Sequence, residues 1–341
     1  MTRKRRFVVA LLTCSALFLV FTVIVSGIRS NNIGVPYDRS DPVLYDNDEA
    51  VDMYTDEFLL ALASLGRIQL KGMITSSPVT PYDPYVTVQN YERDVADRAE
   101  LAAKAEASGF SNIPHRVRGP MGNLQKPISE HIEDTKPIGS EGSWLIVEEA
   151  RRATPEHPLV VVVGAPLTAE ADAYLLDHSI ADRVIVAWLG GQAIRPRLGS
   201  YSRMNLCEYN GWSDPWAAYI VLQKLRLVEF PLNMGLPNVP KRQILALPSS
   251  PLRDYMYKKH HPTNSDPRDV DGDGPPAISM MRSDYALTVR RVAFNKWVQC
   301  NGHDVPEFKV APEGQVWFVL RSDQAVATEE WWRTMRLALA H

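Results

Sequence analysis

The sequence contains few cysteines and no excess of positive charge, and each absence excludes a class of protein. None of the three cysteines stands in a Cys-x-x-Cys or Cys/His spacing, so a metal site built on cysteine is excluded. Cys14 lies in the N-terminal apolar run, which leaves Cys207 and Cys300 to form at most one disulfide. We expect both as buried small apolar residues. The formal net charge of −3 gives no reason to expect a nucleic-acid partner.

Positive charge is concentrated at the N-terminus, where Arg3-Lys4-Arg5-Arg6 precedes an apolar run at 7–28. The run is longer than the ~7–15 residues of a secretory apolar region and reaches the ~20 residues that span a bilayer. We therefore predict a signal anchor with its positive end in the cytoplasm, while Val25-Ser26-Gly27 leaves cleavage as a signal peptide open. In both cases residues 36–341 are expected to be exported, as a periplasmic, extracellular or membrane-anchored domain.

Beyond a linker at 29–41, strand and helix patterns alternate along the chain. The predicted strands include Pro42–Tyr45, Ile68–Ile74, Leu159–Val163 and Arg183–Leu189, with a helix at Thr55–Leu65 between the first two and an irregular segment at His115–Pro127. Fully apolar strands of this kind are typical of a sheet that is covered on both faces. Because no internal repeat or long linker interrupts 42–341, we predict one α/β domain with an open, mainly parallel, Rossmann-like sheet flanked by helices.

Four aspartates crowd the end of the first predicted strand, namely Asp46, Asp48, Asp52 and Asp56. Clustered carboxylates repel one another, and a hard divalent cation is the usual compensation. Ligands of an open parallel sheet bind beyond the carboxyl ends of its strands. Helix capping explains Asp56 but not Asp46-x-Asp48, so we predict metal binding or catalysis for that pair. The role of Asp52 stays open between the two explanations.

Two further segments combine acidic residues with turn signals. Asp214-Pro215 has the pattern of a helix N-cap and first helical residue, which leaves Glu208 and Asn210 without a structural explanation and favours a functional role for them. The segment Asp269–Gly274 looks like the start of a calcium loop, but Met280 occupies the twelfth position. We predict a glycine-rich surface turn there, with a place at the rim of the pocket left open.

Several of these segments resemble, in order, the motifs of nucleoside hydrolases. The aspartate cluster resembles D-x-D-x-x-x-D-D, and Glu208–Pro215 (EYNGWSDP) resembles E-F-N-x-x-x-D-P. Between them, Val160–Leu176 is similar to an apolar strand followed by G-P-L-T-N, and Arg183–Gly191 is similar to a strand that ends in M-G-G. The match covers about 42–224, and a fainter one places Arg282–Val289 against H-D-P-x-A-x-A.

The resemblance implies a calcium-dependent glycosidase that hydrolyses an N-glycosidic bond in a ribonucleoside or a related small glycoside. It implies that Ca²⁺ is bound by Asp48, Asp52, the carbonyl of Val163 and Asp284. Asp48 would also be the base that deprotonates a water, with support from Asp46. The sugar would contact Glu208, Asn210, Leu189 and, as an alternative to metal binding, Asp52. Association into a homo-oligomer is left open.

The sequence also departs from the family pattern. Met53 stands at the second aspartate of the paired position, Thr75-Ser76-Ser77 replaces an asparagine, and Ser283 replaces a histidine that some members have. Two other functions therefore stay open. One is a phosphatase of the haloacid dehalogenase type. The Asp-x-Asp motif of those phosphatases continues to Thr or Val, whereas this chain has Ala50 at that position. The other is a non-catalytic extracytoplasmic module, on the same fold, that binds a glycan or a protein.

Overall fold

A computed structural model describes residues 33–48, 54–77, 86–194, 203–232, 234–259 and 270–340. The predicted signal peptide or anchor at 7–28 lies outside these ranges, and so do Asp52 and Met53. Within the described ranges, no helix is both long and apolar enough to cross a membrane.

The first part of the chain builds parallel strands joined by helices. Its elements are β1 (Pro42–Asn47), α1 (Thr55–Ser64), β2 (Gln69–Ser77), α2 (Val88–Ala107), β3 (His115–Met121), α3 (Glu141–Arg152), β4 (Leu159–Val163), α4 (Thr168–Leu176) and β5 (Val184–Leu189). Every residue of β4 and β5 is buried, as their continuous apolar sequence predicts.

The second part adds antiparallel strands to the sheet. Its elements are β6 (Gln192–Ile194), β7 (Arg203–Asn205), α5 (Tyr209–Ser213), α6 (Pro215–Lys224), β8 (Arg226–Phe230), α7 (Lys241–Ile244), α8 (Pro251–Lys259), α9 (Pro275–Met281), β9 (Ala286–Cys300), β10 (His303–Val310), β11 (Val316–Ser322) and α10 (Gln324–Ala338). Strands β9 and β10 form a long hairpin, with β9 against β11 and β10 against β7.

The strands of the described residues form one open sheet of eleven, in the order β3-β2-β1-β4-β5-β8-β11-β9-β10-β7-β6. The pairs from β3 to β11 are parallel, and the pairs beyond β11 are antiparallel. The carboxyl ends of β1, β4, β5 and β8 therefore meet at one edge, near the centre of the sheet. This arrangement confirms the predicted open, mainly parallel α/β sheet.

Two apolar layers cover the faces of the sheet. One contains side chains of α1, α2, α8, α9 and α10, and the other contains side chains of α3, α4 and α6. Alternation along β1 serves both layers, because Val43 and Tyr45 face the first and Leu44 faces the second. Asp46 continues this alternation and points to the second layer, where an apolar side chain would be expected.

One of the sequence predictions for local structure is wrong. Residues His115–Met121 form the edge strand β3 and not the predicted irregular segment. The sequence hides this strand because an edge strand carries polar outward side chains, and the first residues of β3 are indeed exposed. The contact that decides this element lies far away along the chain, because His115 pairs with Gly72 of β2.

A disulfide joins Cys207 to Cys300, so the expectation of two separate buried thiols is also wrong. It connects the segment directly before Glu208 to the tip of the β9–β10 hairpin, across 93 residues of sequence. The hairpin is therefore attached covalently to the loop that carries Glu208 and Asn210.

Removal of this disulfide should destabilise the fold, because it releases a long loop in the unfolded chain. In a Cys14→Ser background, Cys300→Ser should lower the free energy of unfolding by about 2–5 kcal/mol. Thermal unfolding and denaturant titration measure the change. A count of two reactive thiols in the denatured, unreduced Cys14→Ser protein would contradict the disulfide.

Candidate functional site

The carboxyl ends of β1 and β4 place Asp46 beside Val163. The two residues are paired in register, and the N–H of Gly164 donates to the carbonyl of Asp46 at 2.9 Å. Asp48 follows two residues later and is also buried, with its N–H donating to Oδ1 of Asn47 at 2.8 Å. The structure thus brings Asp46, Asp48 and Val163 to one edge, as the positions of the strand ends predicted.

Asp46 is fully buried and faces a second buried acid, Glu170 of α4. Its Oδ2 accepts a hydrogen bond from Ser76 Oγ at 2.8 Å, whereas Oδ1 has no hydrogen-bond partner in the described part of the chain. The carboxyls of Asp46 and Glu170 lie within hydrogen-bonding reach of each other when one of them carries a proton. Burial raises the pKa of Asp46 to about 7 against the effect of Ser76, and burial with the charge of Asp46 raises the pKa of Glu170.

Asp271 and Asp273 lie in this region and not on a surface turn, so the prediction for Asp269–Gly274 is wrong. Both are buried, and Oδ1 of Asp271 accepts hydrogen bonds from Thr55 Oγ1 and, at 3.1 Å, from the N–H of Gly274. The carboxylate of Asp273 packs so closely on Gly164 that a Cβ at Gly164 would overlap it. A side chain 109 residues away thus reaches the end of β4, a contact that no local pattern could reveal.

Asp284 lies elsewhere. It stands on an exposed turn, and its carboxylate forms a two-pronged ion pair with Arg282, with both oxygens at 2.9 Å from guanidinium nitrogens. The hydrogen bonds from Arg282 hold the pKa of Asp284 below its usual value. The structure therefore does not bring Asp284 to Val163 and Gly164, where the resemblance implied a metal ligand, and Asp273 lies there instead.

Asp56 is the acceptor of a buried ion pair and not a helix cap. Its Oδ1 lies 2.7 Å from Nε of Arg98, and both side chains are buried. Arg98 also donates through Nη1 to Thr75 Oγ1 at 2.6 Å and to the carbonyls of Ile74 and Asn47 at 3.0 and 3.3 Å. A single guanidinium therefore joins helices α1 and α2 to the ends of β1 and β2.

Glu208 and Asn210 lie at the start of α5, and both have structural contacts. The carboxylate of Glu208 accepts hydrogen bonds from the N–H groups of Asn210 and Gly211 at 2.9 and 2.6 Å. Asn210 Nδ2 donates to the carbonyls of Leu189 and Gly164 at 3.1 and 3.3 Å. Asn210 therefore holds the ends of β4 and β5 together, and these two bonds leave its amide oxygen for other contacts.

Asp214 has the role that its position before a proline predicts. Its Oδ1 accepts from the N–H of Ala217 at 3.0 Å, and α6 begins at Pro215. Its Oδ2 accepts from the N–H of Leu124 and from Thr168 Oγ1, each at 2.9 Å. These bonds hold α4, α6 and the loop after β3 together.

The chemistry of the edge fits a hard cation. Carboxylates of Asp48 and Asp273 and the backbone of Val163 are oxygen donors of the kind that Ca²⁺ prefers, and Oδ1 of Asp46 is buried without a hydrogen bond from the described residues. Among the described side chains, no three His, Cys, Asp or Glu residues are gathered closely enough to form a metal site by themselves. Asp52, the remaining predicted ligand, lies outside the described residues.

A cavity of about 630 Å³ opens on the other side of Asp214, between the loop after β3 and the β9–β10 hairpin. Trp216 and Trp297 line it together with Lys126, whose ammonium lies 5.5 and 5.8 Å from the two ring centres. Indole rings beside polar side chains are typical of a pocket that binds a small ring-shaped ligand.

The structure is similar to solved nucleoside hydrolases. For the purine-preferring ribonucleoside hydrolase from Gardnerella vaginalis, the TM-score is 0.60 at 16% identity, covering 87% of this chain and 99% of that chain. For a plant nucleoside hydrolase, the TM-score is 0.59 at 17% identity, and the match covers 87% of this chain and 99% of that chain. For the inosine-uridine preferring nucleoside hydrolase from Bacillus anthracis, the TM-score is 0.53 at 14% identity, and the match covers 86% of this chain and 99% of that chain.

No family model matches the sequence, and no curated protein matches it. At identities this low, the structural likeness shows a shared fold. It confirms the fold that the motifs at 42–224 implied, over nearly the full length of the solved proteins.

The buried pair of Arg98 and Asp56 should be essential for stability. Arg98→Met removes one charge and leaves the other buried without its partner, which should cost about 3–5 kcal/mol of unfolding free energy. Gln89→Met, at an exposed position of the same helix, should change it by about 0.5 kcal/mol or less. Denaturant unfolding of the two variants measures the difference, and equal losses would show that Arg98 is not the link between the strand ends.

Proposed function

We propose that this chain hydrolyses the N-glycosidic bond of a ribonucleoside or a related glycoside, with Ca²⁺ as its cofactor. The observation that carries the proposal is the acidic edge of the sheet, where Asp46 pairs with Val163, Asp48 follows two residues later and the distant Asp273 packs on Gly164, in a fold shared with nucleoside hydrolases. Carboxylates at a strand end of this fold are suited to bind a cation and the hydroxyl groups of a sugar.

The residues divide the chemistry between them. Asp48 takes a proton from the attacking water, and Asp46, at the end of β1, supports Asp48. A bound Ca²⁺ would lower the pKa of a water molecule and orient it toward the anomeric carbon. Asp48, Asp273, the Val163 carbonyl and Asp52 would hold the ion. The carboxylate of Glu208 and the amide oxygen of Asn210 bind sugar hydroxyls above Leu189, and buried carboxylates stabilise the positive charge that develops on the sugar.

The disulfide supports the proposal that the domain is exported. Disulfides persist in oxidising compartments and are rare in the cytosol, and the Cys207–Cys300 bond lies within the domain that follows the leader. We propose a periplasmic or extracellular location, with membrane attachment through 7–28 if the leader is not cleaved.

A release assay tests the activity. Incubation with a panel of purine and pyrimidine ribonucleosides in the presence of Ca²⁺ should liberate free base and reducing sugar, and a chelator should abolish the release. Asp48→Asn should lower kcat by a factor of about 10² or more, because it removes the base while keeping the side-chain shape. Release of phosphate from phosphomonoesters, with no base release from any nucleoside, would instead support the phosphatase.

The metal ligand from the second part of the chain is tested by a matched pair of variants. Asp273→Asn should weaken Ca²⁺ binding by about ten-fold or more, because it replaces a buried charged ligand at Gly164. Asp284→Asn should leave Ca²⁺ affinity unchanged, since that carboxylate is exposed and paired with Arg282. Isothermal titration with CaCl₂ measures both, and the reverse result would restore Asp284 as the ligand.

The second candidate is a non-catalytic binding module on the same fold. The cavity lined by Trp216 and Trp297 favours it, because two indoles and polar neighbours form a recess for a glycan ring away from the acidic edge. Binding of a glycan that Trp297→Ala abolishes, together with no turnover on the whole nucleoside panel, would favour this function over hydrolysis.

A further inference from the structure

Glu229 is a buried acid that the proposed reaction does not use. It lies on β8 between Trp188 of β5 and Phe318 of β11, and its side chain is fully buried. Within the described ranges, neither of its carboxylate oxygens has a hydrogen-bond partner. An ionised carboxylate in such a place costs several kcal/mol, so the site favours the protonated form.

The carboxyl of Glu229 lies against the turn that follows β5. Gly191 has a φ of +71°, and a Cβ at this position would overlap Oε1 of Glu229 and lie 2.9 Å from the carbonyl oxygen of Asn205. Only glycine combines this backbone conformation with so close an approach. The N–H of the same residue faces the carboxylate of Glu208 and lowers its pKa. The backbone of Gly191 therefore lies between two buried acids, one on β8 and one at the start of α5.

Hydrogen bonding divides the charge between these acids. Glu208 accepts hydrogen bonds from the N–H groups of Asn210 and Gly211, and these bonds together with the nearby N–H of Gly191 favour its ionised form. Burial still raises the pKa of Glu208 to about 7. Burial and the charge of Glu208 raise the pKa of Glu229 further, with no bond from the described residues to oppose the effect. Because their environments differ, the two carboxyls lose their protons one after the other as pH rises, and Glu208 loses its proton first.

We propose that Glu229 is a positioning residue for sugar binding: a protonated carboxyl that supports the Gly191 turn and leaves Glu208 as the charged member of the pair. The role in sugar binding rests on the proposed function, whereas the pairing of the two acids does not. Ionisation of Glu229 at alkaline pH then places a second negative charge behind Glu208. This repulsion displaces Glu208 or neutralises it, and the affinity for the sugar falls.

The groups that face Glu229 limit what else could titrate there. Trp188 and Phe318 stand beside it on the neighbouring strands, and Asn205 of β7 presents a backbone carbonyl. Among the described residues, Glu208 is the ionisable group that acts on its pKa. A pH effect that depends on Glu229 should therefore also depend on Glu208.

The pairing is tested by thermal unfolding of the full chain as a function of pH. An unfolded glutamate ionises near pH ~4.3, whereas Glu229 in the folded protein stays protonated above this pH. The folded state then binds more protons, so wild-type stability falls as pH rises toward the folded pKa. Glu229→Gln does not titrate, and its gain in Tm over wild type should grow from about pH 5 to pH 8, reaching roughly 2–4 °C or more.

Two controls make the result specific. Glu106→Gln, at an exposed position of α2, should change Tm equally at both pH values. In a Glu208→Gln background, the pH-dependent gain from Glu229→Gln should be smaller, because the neighbouring charge is absent. A gain that does not depend on pH, or that is unaffected by Glu208→Gln, would overturn the pairing. If Glu229→Gln does not fold, infrared difference spectra of Glu170→Gln, which lacks the other buried neutral glutamate, should still show a buried protonated carboxyl, and its absence would also overturn the pairing.

Titration with D-ribose in the presence of Ca²⁺ tests the positioning role. Wild-type affinity should fall at alkaline pH, and Glu229→Gln should remove this loss while keeping the affinity near neutral pH. Glu229→Ala, which leaves a gap behind Gly191, should weaken ribose binding by about ten-fold or more. Unchanged affinity in Glu229→Ala would overturn the positioning role. If wild type binds neither ribose nor any nucleoside, the proposed function fails, while the unfolding cycle still decides the pairing.

Discussion

The guanidinium of Arg98 is the contact on which the geometry of the acidic edge depends. It pairs with Asp56 at 2.7 Å and donates to the carbonyls of Asn47 and Ile74, so it ties the ends of β1 and β2 to helices α1 and α2. Carbonyls at strand ends have no further ladder partners, and buried ones need a donor. Asp46 and Asp48 flank Asn47, so their placement follows from this single buried cation. Its positive charge also offsets part of the repulsion among the acids around β1.

Behind this edge, two fully buried glutamates stand where apolar residues would be more stable. Glu170 lies behind Asp46, the acid with which it can share a proton, and Glu229 lies behind Glu208 without a hydrogen bond from the described residues. Buried acids without partners lower stability, and proteins retain such groups mainly at functional sites. Asp46 and Glu208 are therefore each accompanied by a second carboxyl, whose burial favours its neutral form when the first is charged. Asp172, on the same helix as Glu170, shows the contrast, because its carboxylate accepts from the N–H groups of Ile138 and Gly139 and has a purely structural role.

The sequence predicted those parts of the fold and site that depend on local pattern. Continuous apolar runs identified β4 and β5, and acidic residues after the first predicted strand located Asp46 and Asp48 at the correct edge. The dipeptide Asp214-Pro215 identified the start of α6. Other residues escaped prediction because their roles depend on contacts between distant segments. Asp273 belongs to a glycine-rich segment that looked like a surface turn, and Arg98 lies in a helix with many charged residues, so nothing local marks its burial.

By itself, the sequence determined the alternation of strands and helices, and hence a parallel sheet whose strand ends meet at one edge, because periodicity and apolar content act over a few residues. It also determined which residue types that edge offers. Only the tertiary structure decided which acids converge there, that Asp273 and not Asp284 lies against Gly164, and that Cys207 and Cys300 are bonded. Convergence depends on how helices pack over the sheet, and packing joins residues that lie about a hundred positions apart.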